Sequence, residues 1–153
     1  MAKCLNLTKA GEYAIAAMSR LARQSGGRAA RPVAVSDLAG SQEIPASFLS
    51  KIFSQCARAG LVSTRKGAKG GVSLTRPARE ITLLSIIEAC EGAYSREDCV
   101  FFSSKHCEGE SCEVYCSLRS TEDALRASLG RVTLADMVQS LDSHPYVKSG
   151  INA

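Results

Sequence analysis

Two short alternating runs, Leu61-Val62-Ser63-Thr64 and Val72-Ser73-Leu74-Thr75, flank the segment Arg65-Lys66-Gly67-Ala68-Lys69-Gly70-Gly71. Period-two runs around a glycine-rich stretch read as a β-hairpin. The glycines at 67, 70 and 71 let the tip turn sharply or approach another chain closely. The hairpin is basic: from Arg58 to Arg79 the chain carries six basic residues and no acidic one.

What precedes the hairpin gives it a context. Ser36-Asp37-Leu38-Ala39 starts a short helix with Ser36 as a capping residue, and Gly40-Ser41-Gln42-Glu43-Ile44 forms a turn. Pro45 at a first helical position opens a longer helix, near Ala46 to Ala59. Phe48, Leu49, Ile52, Phe53 and Cys56 share one buried face, and Gly60 stands where a left-handed cap is needed. Helix, turn, helix and basic hairpin make a winged helix-turn-helix over Val35 to Thr75. Its second helix fits the major groove of DNA, and the wing's cations reach phosphates or the minor groove. Ser47, Ser50 and Lys51 on the early exposed face are the candidates for base edges, with Lys51 donating to guanine. Arg58, Arg65, Lys66 and Lys69 are the candidates for backbone contacts. Any amphipathic helix pair joined by a turn shows the first half of this pattern, so the basic hairpin and the charge distribution decide in favour of DNA.

That distribution is uneven. The net charge is +4, yet residues 1–80 carry 13 Lys and Arg against 4 Asp and Glu, while residues 81–153 carry 6 against 11. A cationic front half suits a polyanion partner, because it displaces condensed counterions. At 153 residues the chain suits one domain, with or without an appendage. Its 45% hydrophobic and 22% charged residues are ordinary for a globular protein. No run of eighteen apolar residues exists, and Met1-Ala2-Lys3-Cys4-Leu5-Asn6 lacks the apolar stretch of a secretory signal, so a cytoplasmic protein without a membrane partner is expected.

Other helices are readable. Thr8 caps one running to about Gln24, with Tyr13, Ala14, Ala17, Met18 and Leu21 as its apolar stripe. Thr82 caps Leu83 to Glu91, ended by Gly92. Helical signal resumes from about Ser117 to Arg131, where Leu118, Leu125 and Val132 recur every seven residues with Leu129 beside them, in the manner of a dimer seam. Val132-Thr133-Leu134-Ala135-Asp136-Met137-Val138 starts a last short helix, and the tail after His144-Pro145 reads as weakly ordered. The organisation expected is a DNA-binding domain over 1–80, dimerisation helices with a cysteine-rich loop (about 93–116) over 81–145, and a flexible tail over 146–153.

Four of the seven cysteines, Cys99, Cys107, Cys112 and Cys116, fall within 18 residues of that polar stretch. Reduced thiols in the cytosol are more often metal or redox centres than disulfide frameworks. Soft sulfur ligands suit an iron–sulfur cluster or zinc. Spacers of seven, four and three residues are not the paired C-x2-C of a zinc ribbon or finger. Cys56 and Cys90 sit on apolar helix faces and read as core residues. Cys4 carries no assignment. His106 reads as a solvated histidine beside Cys107, and His144 carries no signal.

The opening Leu5-Asn6-Leu7-Thr8-Lys9-Ala10-Gly11-Glu12-Tyr13-Ala14 resembles that of the Rrf-two family of bacterial winged-helix transcription regulators. The runs Ile44–Phe53 and Ala59–Val72 resemble its recognition helix and wing, and Ile81–Ala89 the helix after the wing. The resemblance covers roughly residues 5–138. It implies a mainly α fold with a small hairpin wing, a homodimer joined by a long C-terminal dimerisation helix, and a pseudo-palindromic DNA operator. It also implies that Cys99, Cys107 and Cys112 hold an iron–sulfur cluster, with 2Fe-2S preferred to 4Fe-4S. The fourth ligand is Glu12 of the partner subunit, or Cys116 of the same chain. On this basis the chain is a repressor whose operator affinity is set by the cluster. Its rival is the same head with a zinc site or a thiol–disulfide switch. An enzyme is disfavoured: a thiol oxidoreductase needs an activated cysteine, and Glu97, Asp98, Glu108, Glu110 and Glu113 oppose thiolate formation by like charge. The chain has no Ser/His/Asp grouping or phosphate loop.

Overall fold

A computed structural model describes residues 7–39, 45–67, 70–92 and 112–143. The turn proposed at 40–44, Lys69, Cys4, Cys99, Cys107, His106 and the tail lie outside these residues. The elements run α1 (Lys9–Ser25), α2 (Val35–Ala39), α3 (Ala46–Arg58), β1 (Val62–Arg65), β2 (Gly71–Leu74), a 3-10 turn (Ala78–Glu80), α4 (Leu83–Glu91), α5 (Glu113–Arg131) and α6 (Leu134–Ser143). The fold is mainly helical with a two-stranded antiparallel wing, as the sequence implied.

Local chemistry sets most boundaries. Thr8 caps α1 by accepting from the Gly11 N–H at 3.3 Å, and Gly26 closes the helix at φ +65°. Thr82 and Ser85 form a capping box that starts α4. α3 ends in a Schellman motif, with Gly60 at φ +72°, its N–H bonded to the Ala57 carbonyl at 3.0 Å and the Leu61 N–H to the Cys56 carbonyl at 2.9 Å.

Four expectations need correction. Ser36 does not start α2; the helix begins at Val35, and the Ala34 carbonyl accepts from the Asp37 and Leu38 N–H groups. Pro45 precedes α3 as its cap residue at ψ 136°, rather than occupying the first helical position. α5 begins at Glu113, four residues before Ser117, so Cys112 is its cap residue and Cys116 lies in its first turn. The last helix starts at Leu134, because Thr133 and Asp136 cap it: the Thr133 N–H and hydroxyl donate to Asp136 Oδ2 at 2.9 and 2.6 Å.

One core joins these elements. Met18 and Leu21 of α1, Leu49, Ile52 and Phe53 of α3, Val72 and Leu74 of β2, Ile86 of α4 and Leu134 of α6 are all buried in it. α6 packs back on α1, and Ile81–Leu83 pairs with Val132–Leu134 through two backbone hydrogen bonds of 2.8 Å. α5 has no buried residue.

Candidate functional site

The α3 sequence divides cleanly around its axis. Leu49, Ile52, Phe53 and Cys56 are buried, and Phe48 meets Tyr13 edge-to-face with ring centroids 5.5 Å apart. Ser47, Ser50, Lys51 and Arg58 are exposed. Spacings of four and seven residues bring Ser47, Lys51 and Arg58 onto one outward stripe, with Ser50 beside it. The stripe also holds exposed Ser54, which the sequence reading passed over although its spacing from Ser47 and Lys51 continues the row.

The wing projects from the end of α3. Its register pairs Val62 with Leu74 and Arg65 with Gly71. A third segment, just before α2, completes it: the Val33 N–H donates to the Val72 carbonyl at 2.8 Å and the Val72 N–H to the Val33 carbonyl at 2.9 Å. Gly71 allows that approach, because a Cβ there would lie 2.3 Å from the Val33 carbonyl oxygen. Arg65 and Lys66 stand exposed at the distal end. The described candidates for base and phosphate contact therefore occupy two adjacent outward features, a helix stripe and a wing edge.

The candidate metal ligands are placed in part. Cys112 is half-buried and Cys116 exposed, one helical turn apart, with the Cys116 N–H bonded to the Cys112 carbonyl at 2.9 Å. Neither is in a disulfide. Glu12 lies on the first turn of α1, where its carboxylate pairs with the Lys9 ammonium at 2.6 Å and holds that group above its ordinary pKa. Glu12 also lines an open, mainly apolar groove of about 360 Å³ between Ile15, Ser19 and, from α6, Met137 and Leu141. Among the described residues no three His, Cys, Asp or Glu side chains converge as a metal site, and no helix is long and apolar enough to cross a membrane.

A recognition-type helix with a basic wing against its end defines a winged-helix DNA-binding regulator. Residues 7–140 match the Rrf2 (Rrf-two) family model, described as an iron-dependent transcriptional regulator. The chain belongs to that family. It is 31% identical over 137 residues to the HTH-type transcriptional regulator IscR of Escherichia coli O1:K1, covering 89% of this chain and 82% of the relative. Among solved structures it resembles CymR, the global cysteine regulator of B. subtilis (TM-score 0.68, 26% identity, 88% of this chain and 97% of the other). It also resembles IscR of T. potens (TM-score 0.68, 25% identity, 97% and 99%). These relatives are transcriptional regulators, not enzymes.

Proposed function

We propose that the chain acts as a homodimeric repressor whose operator affinity is governed by an iron–sulfur cluster, 2Fe-2S in preference to 4Fe-4S. Cys99, Cys107 and Cys112 hold it, with either Glu12 of the partner subunit or Cys116 as the fourth ligand. The observation that carries this reading is the start of α5: half-buried Cys112 caps a 19-residue helix and exposed Cys116 follows four residues later in its first turn. That spacing presents both to one ligand, and soft sulfur donors suit iron.

Ser47, Ser50 and Lys51 read base edges, and Arg58, Arg65, Lys66 and Lys69 fix the register on phosphates. The homodimer is supported by α5, which spans about 28 Å at the usual helical rise. It leaves Val114 43% and Leu118 41% exposed along its length, and Val132 37% exposed just past its end. Apolar side chains in such a row mark an interaction face.

When bound, the cluster supplies iron–sulfur bonds that tie the segment after α4 to the start of α5. The chain's own residues connect that segment to the head. Glu91, at the end of α4, accepts from the Thr8 N–H at 2.8 Å and from the Thr8 hydroxyl at 2.9 Å, which holds the start of α1. Glu88 pairs with Arg126 of α5 at 2.5 Å. α4 in turn packs on α3. A change at either end of the segment thus biases the position of the DNA-reading helix.

Anaerobic purification, an absorption spectrum, and assays of iron and sulfide test the reading. Coloured protein containing both is expected, with colour abolished in Cys99→Ala, Cys107→Ala and Cys112→Ala. Comparing Glu12→Ala with Cys116→Ala identifies the fourth ligand. Colourless protein without iron or sulfide overturns the cluster, and zinc alone supports the zinc-bearing alternative.

A further inference from the structure

Cys56 and Cys90 are assigned neither to DNA contact nor to the cluster, and each read from sequence as an ordinary core residue. The packing of α3 on α4 brings them together. Cys56 is wholly buried and Cys90, in the last turn of α4, is half-buried. Both side chains lie in the packing between the two helices, where each shifts the other's titration, and neither is in a disulfide. Beside them, Gln55 Nε2 donates to the Cys90 carbonyl at 3.5 Å, so a second contact joins the same two turns. The pair is chemically unequal. The neighbouring Cys56 thiol holds the Cys90 thiol below its ordinary pKa, while Cys90 and burial push Cys56 up. The more exposed sulfur is therefore also the more nucleophilic one.

We propose that Cys56 and Cys90 form a reversible disulfide between α3 and α4 when the protein meets a hydroperoxide, a thiol redox site separate from the cysteine-rich segment. With hydrogen peroxide, the Cys90 sulfur attacks one peroxide oxygen. The O–O bond breaks, the thiol proton leaves with the departing oxygen as water, and Cys90 becomes a sulfenic acid. The Cys56 sulfur then attacks the Cys90 sulfur and the S–O bond breaks. Hydroxide departs with the Cys56 proton as a second water, and the S–S bond forms. Two electrons pass from the thiol pair to the peroxide. The chemistry stands independently of the cluster. Its consequence, a covalent tie on the helix that carries Ser47, Ser50 and Lys51, rests on the DNA-reading role given to α3.

The chain offers a direct test. Trypsin releases Cys56 in residues 52–58 and Cys90 in residues 80–96, each peptide with a single cysteine. The full chain is treated with hydrogen peroxide, quenched, alkylated in denaturant, digested and weighed by mass spectrometry. The expected product is 52–58 joined to 80–96, two hydrogens lighter than the sum, and dithiothreitol should restore both free thiols. In Cys90→Ala, and independently in Cys90→Ser, that product should vanish and Cys56 should be recovered alkylated. Recovery of both wild-type peptides fully alkylated, while Cys99, Cys107, Cys112 or Cys116 is oxidised, overturns the proposal. Linkage of Cys90 to one of those four cysteines overturns it equally. Neither outcome depends on whether the protein binds DNA or a cluster.

Discussion

Replacing Gly71 with alanine tests whether the wing is anchored by the residues that precede α2. Gly71 has φ +155°, and a Cβ built on it lies 2.3 Å from the Val33 carbonyl oxygen, 2.8 Å from that carbonyl carbon and 3.3 Å from the Ala34 nitrogen. All three are backbone atoms, so no side chain can swing aside. Relief requires parting the two segments, which breaks the paired bonds of 2.8 and 2.9 Å between Val33 and Val72. Each such bond contributes about 1 kcal/mol net. Holding a side chain in that backbone conformation costs a further ~1–3 kcal/mol. The loss is therefore about 3–5 kcal/mol, or roughly 6–20 °C in Tm for a chain of this size. The same substitution at Gly130 provides the contrast. It lies within α5, and its built Cβ meets nothing nearer than Leu84 Cδ2 at 3.9 Å. Gly130→Ala should gain about 0.5–1 kcal/mol of helix propensity. Thermal unfolding followed by circular dichroism in one buffer reads both. A Gly71→Ala melt within about a degree of wild type would refute the reasoning, because the wing would then be free of that anchor.

Charge at the wing tip has a separate signature. Arg65→Ala combined with Lys66→Ala should flatten the plot of log affinity against log salt by about 1.8, from ~0.9 per phosphate contact. Thermal stability should be unchanged, since both side chains are exposed; anisotropy titrations of a mixed-sequence duplex at several salt concentrations supply the slope. Asp136 is held below the usual carboxylate range by the Thr133 hydroxyl and N–H. A depressed carboxylate stabilises above its unfolded pKa, and that contribution disappears as pH falls through the folded value. Wild type should thus lose more Tm than Asp136→Asn on acidification below about pH 4, read from melts at a series of pH values. A double-mutant cycle on Glu88 and Arg126, 24% and 37% exposed, should give a coupling of about 0.5–1 kcal/mol in urea unfolding; additive single mutants would remove that pair from the route between α4 and α5.

Features set by neighbouring residues were legible in advance. The caps at Thr8 and Thr82, the left-handed Gly60 and the two wing strands all follow from side chains within a few positions of the feature itself. The outward row on α3 also follows from period alone, and Ser54 could have been included on the same ground. Features made by distant pairing were not legible. Nothing local in Val33 specifies its ladder with Val72, and nothing in α6 specifies that Leu134 enters the core beside α1. The Cys56–Cys90 contact is of the same kind: periodicity fixes the face of each cysteine, whereas only the packing of α3 on α4 turns the two faces together. The start of α5 was misplaced because Glu113-Val114-Tyr115-Cys116 precedes the seven-residue repeat of Leu118, Leu125 and Val132, and Cys112 caps the helix without a side-chain hydrogen bond that would announce its start.

The most direct measurement is duplex affinity of one anaerobic preparation before and after iron chelation. A binding site is first selected from a random duplex pool, and a scrambled copy serves as control. The expected result is an inverted repeat preferred over its scrambled copy, with an affinity that changes at least tenfold, about 1.4 kcal/mol, when iron is withdrawn. Equal affinity for the selected and scrambled duplexes, or an unchanged affinity after every iron atom has been removed, would contradict a DNA-reading head controlled through sulfur-bound iron.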